Sequence, residues 1–303
     1  LSRNTIADMR YVRARSASCY PPPVKFSGGK THDPPYYEVL LMRDVLAEAI
    51  EQYQPQAVLG LFSGGNDSTV MMDMARPQLD YACHIDTGIG IRETREFVRS
   101  TCFRYWGLGL IEQRTTENYE EIVLKYGFPG PYQHGIMYAR LKERPLRKVR
   151  RRFVKHRGQR VIFVTGIRRH ESQRRFNAGY KPIHREGSVV WVNPIFEWTD
   201  EDMLAYRREH PCLPRNPVAD TLHMSGDCLC GAFAHPGELD EIALWFPEVA
   251  DRIHRLEHKA EQAGVPCRWG RPPPQKQLDD QVALDLGQAF RPLCSACELR
   301  NVQ

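Results

Sequence analysis

The chain offers no apolar run of the about 20 residues that a membrane-spanning helix needs, so no membrane partner is expected along its 303 residues. Residues 1–35 are basic, proline-rich and poor in Leu and Val, unlike the apolar stretch of a secretory leader. No internal repeat is present, which excludes a repeat architecture, and the only low-complexity tracts are proline clusters such as Pro21-Pro22-Pro23 and Pro272-Pro273-Pro274. The nine cysteines are odd in number and lack the spacing of a secreted disulfide framework. A cytoplasmic protein is therefore expected. With 42% hydrophobic and 26% charged residues, the chain can bury a sizeable core, and wholesale disorder is excluded.

Charge is present but unevenly placed. Between Arg140 and Arg160 stand eleven Lys/Arg and one acid, Glu143; this local +10 leaves the rest of a chain of net +5 at about −5. Such a concentrated segment suits phosphate-rich partners, nucleotide or nucleic acid, although a solvated helix face would look the same. Cys19, Cys83, Cys102, Cys212 and Cys267 are scattered. Cys228/Cys230 and Cys294/Cys297 form two tight pairs, which in a reducing compartment point to metal rather than to disulfides.

Residues 1–35 read as an irregular arm, and an apolar helical face follows from Tyr37 to Tyr53. Strands are expected at Ala57–Phe62, Tyr81–Asp86, Leu108–Glu112, Arg160–Thr165 and Val189–Val192. Helices are expected at Ser68–Met74, Arg92–Trp106, Asn118–Tyr126 and Tyr138–His156, the last interrupted or restarted at Pro145. This alternation argues for an α/β fold, a parallel twisted sheet flanked by helices over residues 36–198. Beyond Thr199 the pattern turns helical and Cys-rich, with a helix capped by Thr199 and a further helical stretch over Gly237–Gly264 broken near Pro247, so residues 199–303 are expected as a second region.

Ser63-Gly64-Gly65-Asn66-Asp67-Ser68 lies directly after a buried strand and directly before a helix. Backbone N–H groups of such a turn converge on negative charge, and Gly allows close approach. The turn carries no Lys, which favours gripping pyrophosphate or sulfate over transfer of a terminal phosphate. Ser27-Gly28-Gly29-Lys30-Thr31 is not a P-loop, because Val24 stands where Gly is required and no strand precedes it.

SGGNDS resembles the SGGxDS signature of the PP-loop ATP pyrophosphatases, in their phosphoadenosine phosphosulfate (PAPS) reductase-like branch, whose fold is adenine nucleotide alpha hydrolase-like and Rossmann-like. Three further segments are similar to motifs of that branch: His84-Ile85-Asp86-Thr87-Gly88 with Glu93-Thr94-Arg95-Glu96-Phe97; Gly166-Ile167-Arg168-Arg169-His170-Glu171-Ser172; and Asn193-Pro194-Ile195 with Trp198-Thr199-Asp200-Glu201-Asp202. The resemblance implies that Ser63, Gly64, Gly65, Asn66, Asp67 and Ser68 cradle the β- and γ-phosphates of ATP, or the matching anion of a phosphosulfate. It places Asp86 and Thr87 at the rim of the crevice, Gly166 against the nucleotide, and Arg168 and Arg169 at phosphate or sulfate oxygens. Asp67, Ser68 and Arg168 are the catalytic candidates, with His170 a weaker contact.

The chain departs from the family twice. The terminal E-C-G-x-H setting of the reductases is missing, and the adjacent Cys pair of the iron–sulfur members is replaced in the stretch His134-Gly135-Ile136-Met137-Tyr138. The family's second pair resembles Cys228-Leu229-Cys230, which Cys294 and Cys297 could complete as a four-thiolate set for a [4Fe–4S] cluster or for Zn²⁺; without metal, Cys294 and Cys297 would remain as a redox pair. The resemblance thus implies an enzyme that binds ATP with Mg²⁺, releases pyrophosphate and adenylates an acceptor for sulfur transfer. Its expected partners are a nucleic acid on the 140–160 segment and a sulfur donor protein. Two alternatives stand beside it: a PAPS or adenylylsulfate reductase, and an iron–sulfur accessory subunit that binds nucleotide without turnover.

Overall fold

The computed structural model describes residues 45–169, 181–265 and 267–270. The arm over 1–35, His170 to Ser172, and Cys294 and Cys297 lie outside the described residues. Six strands, Val58–Leu61 (β1), Tyr81–Asp86 (β2), Leu110–Arg114 (β3), Val161–Val164 (β4), Ile183–Glu186 (β5) and Val189–Val192 (β6), form one sheet of order β3-β2-β1-β4-β6-β5. All neighbours run parallel except β5, which pairs antiparallel with β6 at the edge. The central strands β1 and β4 read VLGL and VIFV because helices cover both their faces, leaving no solvent side for polar residues.

The chain builds outward from β1 through β2 to β3, then returns to lay β4 on the other side of β1. That reversal opens a crevice at the carboxyl ends of β1 and β4, where open α/β sheets bind their ligands. Helical residues 45–53 (α1) and Asn66–Ala75 (α2) cover one face, where Met71, Met72, Ile162, Val164 and Val192 are fully buried. On the other face, Leu146 and Val149 of Arg144–Phe153 (named α6 below) pack on Leu59, Val161 and Phe163.

Three expectations shift in detail. The helix begun at Arg92–Ser100 (α3) continues as a π-helical turn, Thr101–Trp106, and stops at left-handed Gly107, with Leu108 N–H bonded to Cys102 O. The strand expected at Leu108–Glu112 therefore starts at Leu110 and runs on to Arg114. After Tyr119–Tyr126 (α4), the basic stretch begins at His134–Tyr138 (α5), widens into a π turn at Ala139–Glu143, and resumes as α6. Pro145 sits in the first turn of α6, where its missing N–H costs least. Strand β5 was not expected, since IHRE at a solvent edge lacks a clean apolar alternation.

Past β6 come Asp200–Glu209 (α7), Pro217–Leu222 (α8), Glu238–Trp245 (α9) and Pro247–Gln262 (α10), the last two divided at Pro247 as expected. Met203 and Tyr206 of α7 join the core over α2. Buried Asp73 of α2 accepts from Trp106 Nε1 and from Tyr206 Oη, both at 2.8 Å, which ties α2 to its two neighbours. Helices α4, α8, α9 and α10 enclose a separate cluster with Ile89 and Ile91, at the carboxyl edge of the sheet. Among the described residues no helix is long and apolar enough to cross a membrane.

Candidate functional site

The turn after β1 has the form the sequence demands. Gly64 takes φ +81°, a left-handed conformation that L side chains rarely adopt. Gly65 is the N-cap of α2, and no side chain caps that helix end. Ser63 Oγ and Ser68 Oγ stand 3.1 Å apart across the turn, and Ser68 Oγ donates to Gly65 O at 2.9 Å. A helix N-terminus with two hydroxyls at its mouth offers the donors and the dipole end that an anion would need.

The loop after β4 closes on the turn. A Cβ added to Gly166 would lie 2.9 Å from the carbonyl carbon of Asp67 and 3.0 Å from Ser68 N, so only glycine permits the approach. Arg168 is 2% exposed. Its Nε donates to Asp67 Oδ2 at 3.0 Å, and its Nη1 pairs with Asp200 Oδ1 at 2.8 Å. Burial works against this guanidinium, but Asp67 and Asp200 outweigh it and hold its pKa above the usual arginine value. Arg168 thus clamps the first turns of α2 and α7 together, rather than standing as a bare donor. Arg169 reaches Glu197 at 3.4 Å in an exposed pair, while its backbone N–H bonds to Phe196 O. Asn66 accepts from Arg207 Nη2 at 3.0 Å; Arg207 has its pKa lowered by burial and by Arg215 nearby.

Asp86 and Thr87 end β2, one strand away. Asp86 Oδ1 accepts from Gly88 N–H at 2.9 Å and Oδ2 pairs with Arg95 at 3.1 Å. Thr87 Oγ1 donates to Asp227 O at 2.9 Å, which binds the strand end to the loop that carries the first Cys pair. Asn216 was missed in the sequence and is the hub of the site. Its Nδ2 donates to Gly64 O at 3.0 Å and to Thr94 Oγ1 at 3.2 Å, and its Oδ1 caps α8 through Val218 N–H. An Asn-Pro at a helix start is a visible cap signal, but its reach to the turn is tertiary.

Cys228 and Cys230 lie side by side as expected. Cys230 is lowered to about 7, chiefly by a hydrogen bond from Cys228, whose own thiol is pushed up by that bond and by burial. Lys142 Nζ meets Asp227 Oδ2 at 3.0 Å next to them. Burial raises the Asp227 carboxyl, but the Lys142 ammonium overrides it and holds its pKa below the usual range. Among the described residues no group of three or more His, Cys, Asp or Glu gathers as a metal site.

Residues 57–225 match the phosphoadenosine phosphosulfate reductase domain family. The chain is 26% identical over 204 residues to adenosine 5′-phosphosulfate reductase 2 of Bacillus subtilis, a match covering 66% of this chain and 82% of that protein. Among solved structures it is similar to the NH3-dependent NAD synthetase of Campylobacter jejuni, at TM-score 0.46 and 17% identity over 80% of this chain and 98% of that one. A PAPS reductase from Candida auris matches at TM-score 0.44 and 18% identity, covering 64% of this chain and 94% of that one.

Proposed function

The chain belongs to the phosphoadenosine phosphosulfate reductase domain family, and from that premise we propose that it cleaves ATP to AMP and pyrophosphate while adenylating an acceptor for sulfur transfer. One observation carries the reading: the α2 N-terminus has no side-chain cap, is flanked by Ser63 and Ser68, and faces the crevice between β1 and β4. The β- and γ-phosphates would lie on the amides at the start of α2, with Ser63 and Ser68 as hydroxyl donors. Asp67, fixed by Arg168, would keep that helix end rigid. Gly166 would admit the nucleotide's adenosine half along the β4 loop.

An acceptor carbonyl oxygen would attack the α-phosphorus; its bond to phosphorus forms as the bond to pyrophosphate breaks, and the acceptor N–H loses a proton. Hydrosulfide, supplied by a sulfur donor protein, would then add to the activated carbon, and AMP would leave with the oxygen. No oxidant or reductant is consumed. The role of the turn is electrostatic, since preorganised N–H groups stabilise the charge on departing pyrophosphate.

Mg²⁺ fits here as an ion carried mainly on the nucleotide's own phosphates, because the described residues hold no acidic cage for it. When bound it would neutralise charge on the leaving group. Cys228 and Cys230 are adjacent thiols of the kind a [4Fe–4S] cluster or Zn²⁺ takes, and they fit as half of such a set, with Cys294 and Cys297 proposed as the other half. A bound centre would supply a sulfur-binding site or a structural clip.

A nucleic acid is the proposed acceptor. Its support is the 140–160 segment together with the exposed tyrosines leading into it: Tyr132 is 88% exposed and Tyr126 is 60% exposed. Lys125 and Arg140 stand 5.0 and 5.3 Å from the Tyr126 ring, which gathers cations for backbone phosphates beside these aromatics. A second reading, reduction of adenylylsulfate to sulfite, is favoured by the name of the matched Bacillus subtilis relative. The experiment supplies the protein with ATP, hydrosulfide and RNA, and separately with adenylylsulfate and reduced thioredoxin. AMP and pyrophosphate in the first mixture support adenylation. Sulfite in the second, with no AMP in the first, replaces it with the reductase.

A further inference from the structure

A cavity of about 470 Å³ lies not at the SGGNDS turn but one strand further out, between the ends of β2 and β3 and the face of α10. Its floor is Thr87, Gly88 and Ile89; its far wall includes Leu229, the middle residue of the Cys-x-Cys turn, and Tyr119, whose hydroxyl donates to Cys230 O at 2.8 Å. The cavity therefore touches both the strand end at the crevice rim and, through Leu229 and Tyr119, the turn that carries the thiol pair.

Its charge is lopsided. Arg252, Arg255 and Lys259 project from α10 at i, i+3 and i+7, so one face of that helix carries a row of like charges. Like charges at such spacing destabilise a helix. Arg114 adds a fourth cation from the end of β3. The two acids in the lining are already engaged: Glu117 with Arg140 and Arg144, Glu120 with Lys259 at 2.6 Å. Arg252 donates to the carbonyls of Gly88 and Ile89, and its pKa is lowered by burial, Arg95 and Arg255. Among the described residues neither Arg252 nor Arg255 has a carboxylate at ion-pair distance. Ile89, Ile253 and Leu256 complete the lining with apolar surface.

We propose that this cavity is a second ligand site, holding one phosphate-bearing nucleotide unit with its phosphate against the α10 cations and its ring against the apolar wall. The volume suits a ligand of that size. The pairing of Glu117 with Arg140 and Arg144 joins the cavity rim to the basic segment, so a nucleotide within a polymer could enter while flanking phosphates lie on that segment. In naming this ligand as the acceptor, the proposal rests on the adenylation reading; as a binding site it stands apart from it.

The test is calorimetric titration of the full chain with cytidine 5′-monophosphate and, separately, with a short 5′-phosphorylated single-stranded RNA. A pyrimidine probe avoids the adenine crevice, and the two arms distinguish a free nucleotide from one in a chain. Binding should weaken about tenfold or more in Arg255→Glu and be unchanged in Ser68→Ala, with thermal melting used to verify that both variants fold. Tighter binding of the RNA would identify the polymer as the source, and equal affinity would identify the free nucleotide. Absence of binding to both probes, binding indifferent to Arg255→Glu, or binding lost in Ser68→Ala overturns the proposal. AMP release from ATP is scored on the same preparations, so failure of the adenylation reading leaves the binding result standing, and the reverse.

Discussion

Asn216 is the residue whose loss should do most damage to the site for the smallest change in volume. Asn216→Ala removes the cap of α8, worth about 1 kcal/mol. It also strips the Nδ2 donor from Gly64 O, 3.0 Å away, and leaving a buried carbonyl unpaired costs about 1–3 kcal/mol. Ser225 O suffers less, because Thr94 Oγ1 still donates to it at 2.6 Å. The sum is about 2–4 kcal/mol, which for a chain of this size lowers the melting temperature by about 3–6 °C. Asn216→Asp separates the two roles: it keeps an acceptor for Val218 N–H but turns a carboxylate oxygen toward Gly64 O, so its effect on the turn should equal or exceed that of alanine. Scanning calorimetry gives the stability, and ATP titration gives the site, where affinity should fall at least tenfold. An Asn216→Ala protein that melts within about 1 °C of the parent and binds ATP equally well would refute the reasoning, since the tether would then carry no load.

Gly166→Ala places a methyl against the backbone of Asp67 and Ser68; a loss of about 1–3 kcal/mol is expected, with weaker ATP binding by titration. Arg168→Ala leaves Asp67 and Asp200 without their shared guanidinium and should cost about 3 kcal/mol in urea unfolding, near the lower end for a broken buried pair. Arg168→Lys, which keeps the charge but not the fork, should recover only part of that. Asp227 has its folded pKa depressed below 3.8, so the stability it contributes is present above the unfolded value and is lost as pH falls through the folded one. The gap in stability between the parent and Asp227→Asn should therefore be full at neutral pH and close on acidification below about pH 4; a gap independent of pH would contradict the Lys142 pairing.

Some of this protein is plain in the sequence and some is not, for reasons that differ by residue. The apolar runs of β1 and β4 are legible because both faces of a central strand are buried, while β5 is not, because an edge strand can be polar. Pro145 is legible as a disturbance, whereas the π turn at Ala139–Glu143 that precedes it has no local sequence signal. The turn at Ser63 to Ser68 is legible because its glycines stand directly between a buried strand and a helix start. Arg168 is expected from the sequence at phosphate or sulfate oxygens, whereas its commitment to Asp67 and Asp200 joins residues 101 and 32 positions apart. The cavity on α10 has no sequence signal: nothing in the spacing of Arg252, Arg255 and Lys259 marks them until the end of β3 is placed opposite them.

By itself, the sequence determined the alternating α/β order, the glycine turn between β1 and α2 and the closeness of Cys228 to Cys230, because each is set by local spacing, and spacing is written in the chain. Tertiary structure alone decided which strands flank the crevice, that Asn216 and Gly166 hold the turn from outside, and that a cationic helix face lines a cavity at the ends of β2 and β3. Those are contacts between segments far apart in sequence, chosen by how the sheet reverses and what its helices must bury.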